Sequence, residues 1–307
     1  MNSELESLTT EKVNCNTVDI DEKSTYDILK IINEEDKKVA LAVEEELPNI
    51  AKAVEKIVEA FNNNGRLIYL GAGTSGRLGI LDATECPPTF GTSREMVVGL
   101  IAGGERALLE AVEGAEDCEK EGIKDLKNIN LNSKDVVVGI AASGRTPYVI
   151  SGLKYAKSIG ATTVSICCNE EAPIIKIVDV AITPIVGAEV IAGSTRLKSG
   201  TAQKLVVNML TTASMIGIGK VYKNLMVDVQ TTNKKLVHRA NKIVMMATGE
   251  DERIVAKVLK EADFQPKVAI VMIKTHCNKE EAIKRLKEAK GFIKKALEYY
   301  EGNDHHD

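Results

Sequence analysis

Hydrophobic positions repeat in two rhythms along this chain, and the change of rhythm divides it. Residues 1–24 are polar and without period, and predict an arm that is either mobile or ordered by a partner subunit. From Ser24 the period is helical: Ser24-Thr25 can cap a helix whose face carries Ile28, Leu29 and Ile32. Val39, Val43, Ile50, Val54 and Ile57 continue the spacing towards Asn62, with Pro48 placed to kink or split the helix. At Arg66 the rhythm changes. Arg66–Leu70 and Asp135–Ala142 are short apolar runs that lead into the turns Gly71-Ala-Gly73 and Ser143-Gly144. Thr162–Cys168 and Val178–Thr183 predict two further strands, and Met96–Ile101 a fifth. Short helices are expected at 107–112 and 116–127, while Pro88–Thr92 reads as loop. Strands alternating with helices of roughly ten to fifteen residues predict an α/β fold: an open parallel sheet flanked by helices.

Residues 197–217 predict a long apolar helix that is buried. From Lys234 onward the pattern is strongly charged and helical, in segments near 235–248, 251–261, 266–275, 279–287 and 291–300. The run Val268-Ala-Ile-Val-Met-Ile273 has strand composition, but helical neighbours on both sides favour helix. The expected division is an arm at 1–24, a sheet domain at 25–230 and a small helical domain at 231–307.

Composition then removes several classes of function. Trp is absent and aromatics make up 4% of the chain, so stacking platforms for single-stranded nucleic acid are scarce. A formal charge of -4 leaves no basic surplus for a nucleic-acid partner. A small anion is a different matter, because backbone N–H groups and a few local cations suffice to hold it. No apolar run approaches the ~20 residues of a membrane span and the polar start lacks a signal core, so no membrane contact and a cytoplasmic location are expected. The six cysteines contain no Cys-x-x-Cys pair and read as reduced thiols; neither a metal site nor a cofactor is expected.

Three clusters carry candidate chemistry. Gly71-Ala-Gly73-Thr74-Ser75-Gly76-Arg77 has the outline of a dinucleotide fingerprint. Two adjacent hydroxyls, and no acidic residue ending a second strand about twenty residues on, point instead to a terminal phosphate held by Thr74, Ser75 and Gly76. Ser143, Gly144, Arg145 and Thr146 repeat the arrangement after another strand; helix capping would explain either turn alone, but the two together favour a grip on one phosphate. The third cluster, Glu189 to Thr201, places Glu189, Ser194, Thr195 and Lys198 in ten residues, as a polar pocket wall or as a capping loop with solvated charges. His238, on a predicted helix, reads as a core or surface residue.

The paired turns GAGTSGR and AASGRTP, with EVIAGSTRLKSGTAQK, resemble a sugar isomerase (SIS) phosphosugar-binding domain. The stretch from LTTEKVNCNTVDIDEKSTYDILK, with LGILDATECPPTFGT and GLIAGGERALLEAVEGAED, is similar to the N-acetylmuramic acid 6-phosphate etherase family over most of residues 8–240. The charged C-terminal helices fit that family more loosely. The resemblance implies a homodimeric lyase that removes D-lactate from the C3 ether of a phosphorylated amino sugar in cell-wall recycling. It implies Glu85 as the acid that protonates the departing oxygen and Glu116 as the base that takes the C2 proton. Glu113 and Asp117 are rivals to Glu116; without the resemblance Glu85 reads as a helix end and Glu116 as a first-turn acid. Two other readings share the pocket: a non-catalytic phosphosugar-responsive regulator, as in the related glucokinase regulatory protein, and an aldose–ketose isomerase.

Overall fold

A computed structural model describes residues 9–231 and 234–301. The described residues up to Thr84, together with Glu95–Thr211, form one compact unit; Glu85–Arg94 and the residues from Thr212 onward form a second.

The first unit opens with 3-10 turns at Thr9–Glu11 and Ile20–Glu22. Its polar start is not loose: Thr10, Asn14 and Thr17 are buried. Thr17 Oγ1 donates to Val190 O at 2.9 Å, and Asn14 Nδ2 to Ala188 O at 3.1 Å. The described part of the expected arm is therefore seated on its own unit by side chains that replace the missing apolar period; residues 1–8 lie outside the description.

Helix α1 spans Thr25–Glu44, capped by Ser24, whose Oγ accepts from Asp27 N. Helix α2 spans Leu47–Asn62 with Pro48 in its first turn, so the proline splits the predicted helix rather than kinking it. Five strands follow, interleaved with helices: β1 (Leu67–Gly71), β2 (Val97–Ile101), β3 (Val136–Ile140), β4 (Thr162–Ile166) and β5 (Val180–Ile182). All are parallel, in the order β2-β1-β3-β4-β5. Every residue of β1 and β3 is buried, which is why both read as continuous apolar runs. Helix α3 spans Gly73–Phe90, α4 Glu119–Asn128, α5 Pro147–Ser158 and α6 Lys198–Gly217.

The boundaries differ from the sequence pattern in two places. The expected helix at 107–112 is a 3-10 turn at Glu105–Leu108, and Glu116 sits in a second such turn, Ala115–Asp117. Gly103, Gly104 and Gly114 all take positive φ and bound this stretch on both sides. In the other place, α3 continues through Pro87 and Pro88, where a loop was expected, and ends before Gly91 at φ 61°.

The second unit contains α7 (Lys234–Thr248), α8 (Glu252–Glu261), α9 (Pro266–Thr275), α10 (Lys279–Glu288) and α11 (Ile293–Glu301). Val244, Val255, Leu259, Ala269 and Ile270 are at its core. The Val268–Ile273 run is helical, as its neighbours predicted.

Candidate functional site

The sheet order places the site. β1 leads outward to β2, and the chain then crosses back to β3 on the other side of β1. The carboxyl ends of β1 and β3 therefore flank the point where the winding reverses, which is where open α/β sheets bind ligands. Register pairs Gly71 with Ile140, so the turns that follow start side by side.

After β1 the chain turns directly into α3. A Cβ on Gly76 would lie 2.8 Å from Gly71 O, so only glycine lets the helix start so close to the strand end. The N–H groups of Gly73, Thr74 and Ser75 precede any acceptor within the helix, and they form the positive end of its dipole. Ser75 is 8% exposed, and its Oγ lies 2.9 Å from Gln203 Oε1 on α6. Beyond it, Asp82 accepts from Tyr69 Oη, Asn208 Nδ2 and Thr211 Oγ1 and ties α3 to β1 and α6. Burial pushes the Asp82 carboxyl up from its ordinary value against these bonds.

After β3, Ser143 Oγ accepts from Arg145 N at 3.2 Å, and Gly144 takes φ 65°. A Cβ on Gly144 would fall 2.4 Å from that of Ala172. Ser143, Arg145 and Thr146 are half-buried, ahead of α5.

Glu116 lies next to the first of these turns. It is exposed, and it lines a cavity of about 240 Å³ with Gly73, Ala102, Glu113 and Val112. Its 3-10 turn also packs against α5. Glu113 lines the same cavity; Asp117 is not among its lining residues. Arg77 braces the rim, donating to Leu108 O and Glu110 O at 3.1 Å each. Glu85 is exposed on α3, ten residues beyond Ser75. The chain after β2 runs Ala102-Gly103-Gly104 before its first acid, Glu105, and β2 itself ends without a carboxylate.

The third cluster is split by burial. Ser194 and Thr195 are half-buried, and Thr74 approaches the first turn of α6: its Cγ2 lies 3.5 Å from the position a Cβ would take on Gly200. Glu189 and Lys198 are inside the protein, at 0% and 1% exposure. The Glu189 carboxylate accepts from Lys198 N and Ser199 N at 2.9 Å each, a negative cap on the positive end of α6. Gly200 N and Thr201 N are bonded to Thr195 O and Leu197 O, so the first turn of α6 is already satisfied. Lys198 Nζ lies 2.7 Å from Glu35 Oε2 on α1. Burial acts to raise the Glu35 carboxyl, but hydrogen bonds from Lys198, Lys38, Asn16 and Asn14 outweigh it and hold it at about 2.

Sequence reasoning passed over Gln203 and Glu35. Gln203 carried a faint signal: with Ser199 and Gly200 it completes a small and polar patch at the start of α6. Glu35 carried none, being one of three adjacent acids in a charged helix. His238 is exposed on α7. Among the described residues no set of three His, Cys, Asp or Glu is placed to hold a metal ion, and no helix is long and apolar enough to cross a membrane.

Comparison with known proteins adds to this geometry. A family model for the glucokinase regulatory protein N-terminal SIS domain matches residues 49–157, and one for the SIS domain matches residues 112–213. The N-acetylmuramic acid 6-phosphate etherase of Alkaliphilus metalliredigens is 73% identical over 299 residues, covering 97% of each chain. That of Geobacillus sp. is 60% identical over 96% of this chain and 100% of its own. That of Clostridium botulinum strain Okra is 59% identical over 96% of this chain and 98% of its own. Identity at this level over nearly the whole length places the chain in the N-acetylmuramic acid 6-phosphate etherase family.

Proposed function

We propose that the chain cleaves the C3 lactyl ether of N-acetylmuramic acid 6-phosphate by elimination and water addition, yielding N-acetylglucosamine 6-phosphate and D-lactate. The single observation that carries this reading is the full-length identity of 73% to a relative bearing that activity in its name. The site suits it: two hydroxyl-bearing turns stand side by side at the switch point, with a carboxylate lining the adjoining cavity.

Thr74, Ser75 and Gly76, together with Ser143, Gly144, Arg145 and Thr146, hold the 6-phosphate through N–H groups, hydroxyls and one guanidinium. Ser194 and Thr195 complete the wall around the sugar. Glu189 and Lys198 act behind them, fixing the start of α6 and the loop before it.

The chemistry follows from an opened ring. With C1 an aldehyde, the C2 hydrogen lies α to a carbonyl, and Glu116 removes it as a proton. The electron pair left on C2 forms the C2–C3 double bond as the C3–O bond breaks. Glu85 donates its proton to the departing lactate oxygen. Water then adds at C3, giving up a proton to Glu85, while Glu116 returns one to C2. Both carboxyl groups end as they began.

Glu85 poses a question of reach. Ten residues of helix rise about 15 Å, a long span from a phosphate at Ser75 to C3 of its own sugar. A homodimer in the cytoplasm, in which Glu85 serves the partner subunit's sugar, satisfies that distance. Cleavage in water enriched in oxygen-18 tests the elimination: the label should enter the C3 hydroxyl of the amino sugar and be absent from the lactate. Label in the lactate would mean displacement at the lactyl carbon instead. A ketose phosphate as product, without lactate, would mean isomerisation.

A further inference from the structure

Gln203 is 1% exposed, on the second turn of α6. Its Oε1 takes the proton of Ser75 at 2.9 Å, and its Nε2 is buried with no hydrogen-bond partner among the described residues. A buried carboxamide that uses its acceptor and leaves both donor hydrogens idle is an unusual arrangement. Its position, one bond behind a hydroxyl at the open end of α3, suggests what the idle donor is for.

A serine hydroxyl has one proton and two lone pairs. While Ser75 donates to Gln203, it can present only lone pairs towards the switch point. A sugar phosphate also offers only acceptors, so the two would repel. Rotating the Gln203 carboxamide by half a turn exchanges Oε1 and Nε2 within the same volume. Nε2 then donates to Ser75 Oγ, and the serine proton is released towards the phosphate. Each orientation leaves two polar groups of the amide without partners, so the exchange is close to balanced until an anion is present.

We infer that Gln203 is a positioning residue for phosphate binding: its carboxamide turns over when the anion arrives and makes Ser75 a donor. This rests on the reading of Ser75 as a phosphate ligand. It adds that the donor character of Ser75 is set from behind, by a residue that never touches substrate.

Two substitutions separate this from a packing role. Gln203→Glu keeps the shape and, assayed at alkaline pH where the buried carboxyl is ionised, can only accept, which holds the Ser75 proton away from the site. Gln203→Met keeps the volume and removes both polar groups, which leaves Ser75 free to turn. The expected order of KM is wild type, then Met a few-fold higher, then Glu about 10- to 100-fold higher, the worth of one hydrogen bond to a charged group. The change in kcat should be small in both. In a Ser75→Ala background, Gln203→Glu should add little further. A Met variant as impaired as Glu, or a full Glu effect on top of Ser75→Ala, would overturn the inference, the latter by pointing to plain charge repulsion.

If the Glu variant does not fold, wild-type enzyme still decides. The side-chain amide resonances of Gln203 should shift when inorganic phosphate is added, and should not shift in Ser75→Ala. Bound phosphate with unmoved Gln203 resonances would overturn the inference. The underlying reading fails separately: Ser75→Ala with an unchanged KM would remove Ser75 from the phosphate site altogether.

Discussion

Lys198 and Glu35 stand 163 residues apart in sequence and 2.7 Å apart in the structure, with side chains 1% and 4% exposed. Their ion pair joins the first helix of the chain to the start of α6. It sits behind the loop that carries Ser194 and Thr195, and so links the stability of the fold to the shape of the site.

A buried pair of this kind is most sensitive to losing one member. Lys198→Met should destabilise the protein by about 3–5 kcal/mol, because Glu35 is left as a buried charge without its main partner. Lys198→Met with Glu35→Leu should recover much of that loss. Urea unfolding of the three proteins measures both effects. Equal stability of wild type and Lys198→Met would remove the pair from the account.

The same pair sets an acid limit. Glu35 is held at about 2, against an ordinary carboxylate value of 4.5. A depressed carboxylate contributes stability that is fully present above the unfolded value and is lost as pH falls through the folded one. Wild type should therefore lose on the order of 3 kcal/mol between about pH 5 and pH 2 through this residue. Glu35→Gln should start less stable and show a flatter acid limb. Parallel limbs in the two proteins would contradict the assignment.

Glu85 and Ser143 offer a test across subunits. Inactive Glu85→Ala and inactive Ser143→Ala proteins, unfolded together and refolded, should regain activity if the phosphate turns of one protomer work with the Glu85 carboxylate of its partner. Mixed dimers that form and remain inactive would confine each site to one chain.

The centre of the sheet was legible because β1 and β3 are buried along their whole length and each apolar run stops at a glycine turn: Leu67–Leu70 before Gly71, and Val136–Ala142 before Gly144. The two glycine turns were legible for the same reason, since the glycines that let strand and helix meet are written locally. The short 3-10 turns around Glu105 and Glu116 were not, because three or four residues carry no period. The reach of α3 through Pro87 and Pro88 was hidden by prolines that normally mark an end. Long-range pairs left no trace in the pattern: nothing near Lys198 names Glu35, and nothing near Ser75 names Gln203. The seating of the N-terminal segment was also invisible, because it depends on Asn14 and Thr17 meeting carbonyls more than 170 residues away.

The most direct test of the account is lactate release from N-acetylmuramic acid 6-phosphate by wild type, Glu85→Ala and Glu116→Ala, each checked for folding. The account predicts rapid release by wild type and a loss of about 10²–10⁴-fold in each variant, the usual contribution of one general acid or base. A folded wild type that binds the sugar phosphate and releases no lactate would contradict it, as would a Glu116→Ala variant that works at the wild-type rate.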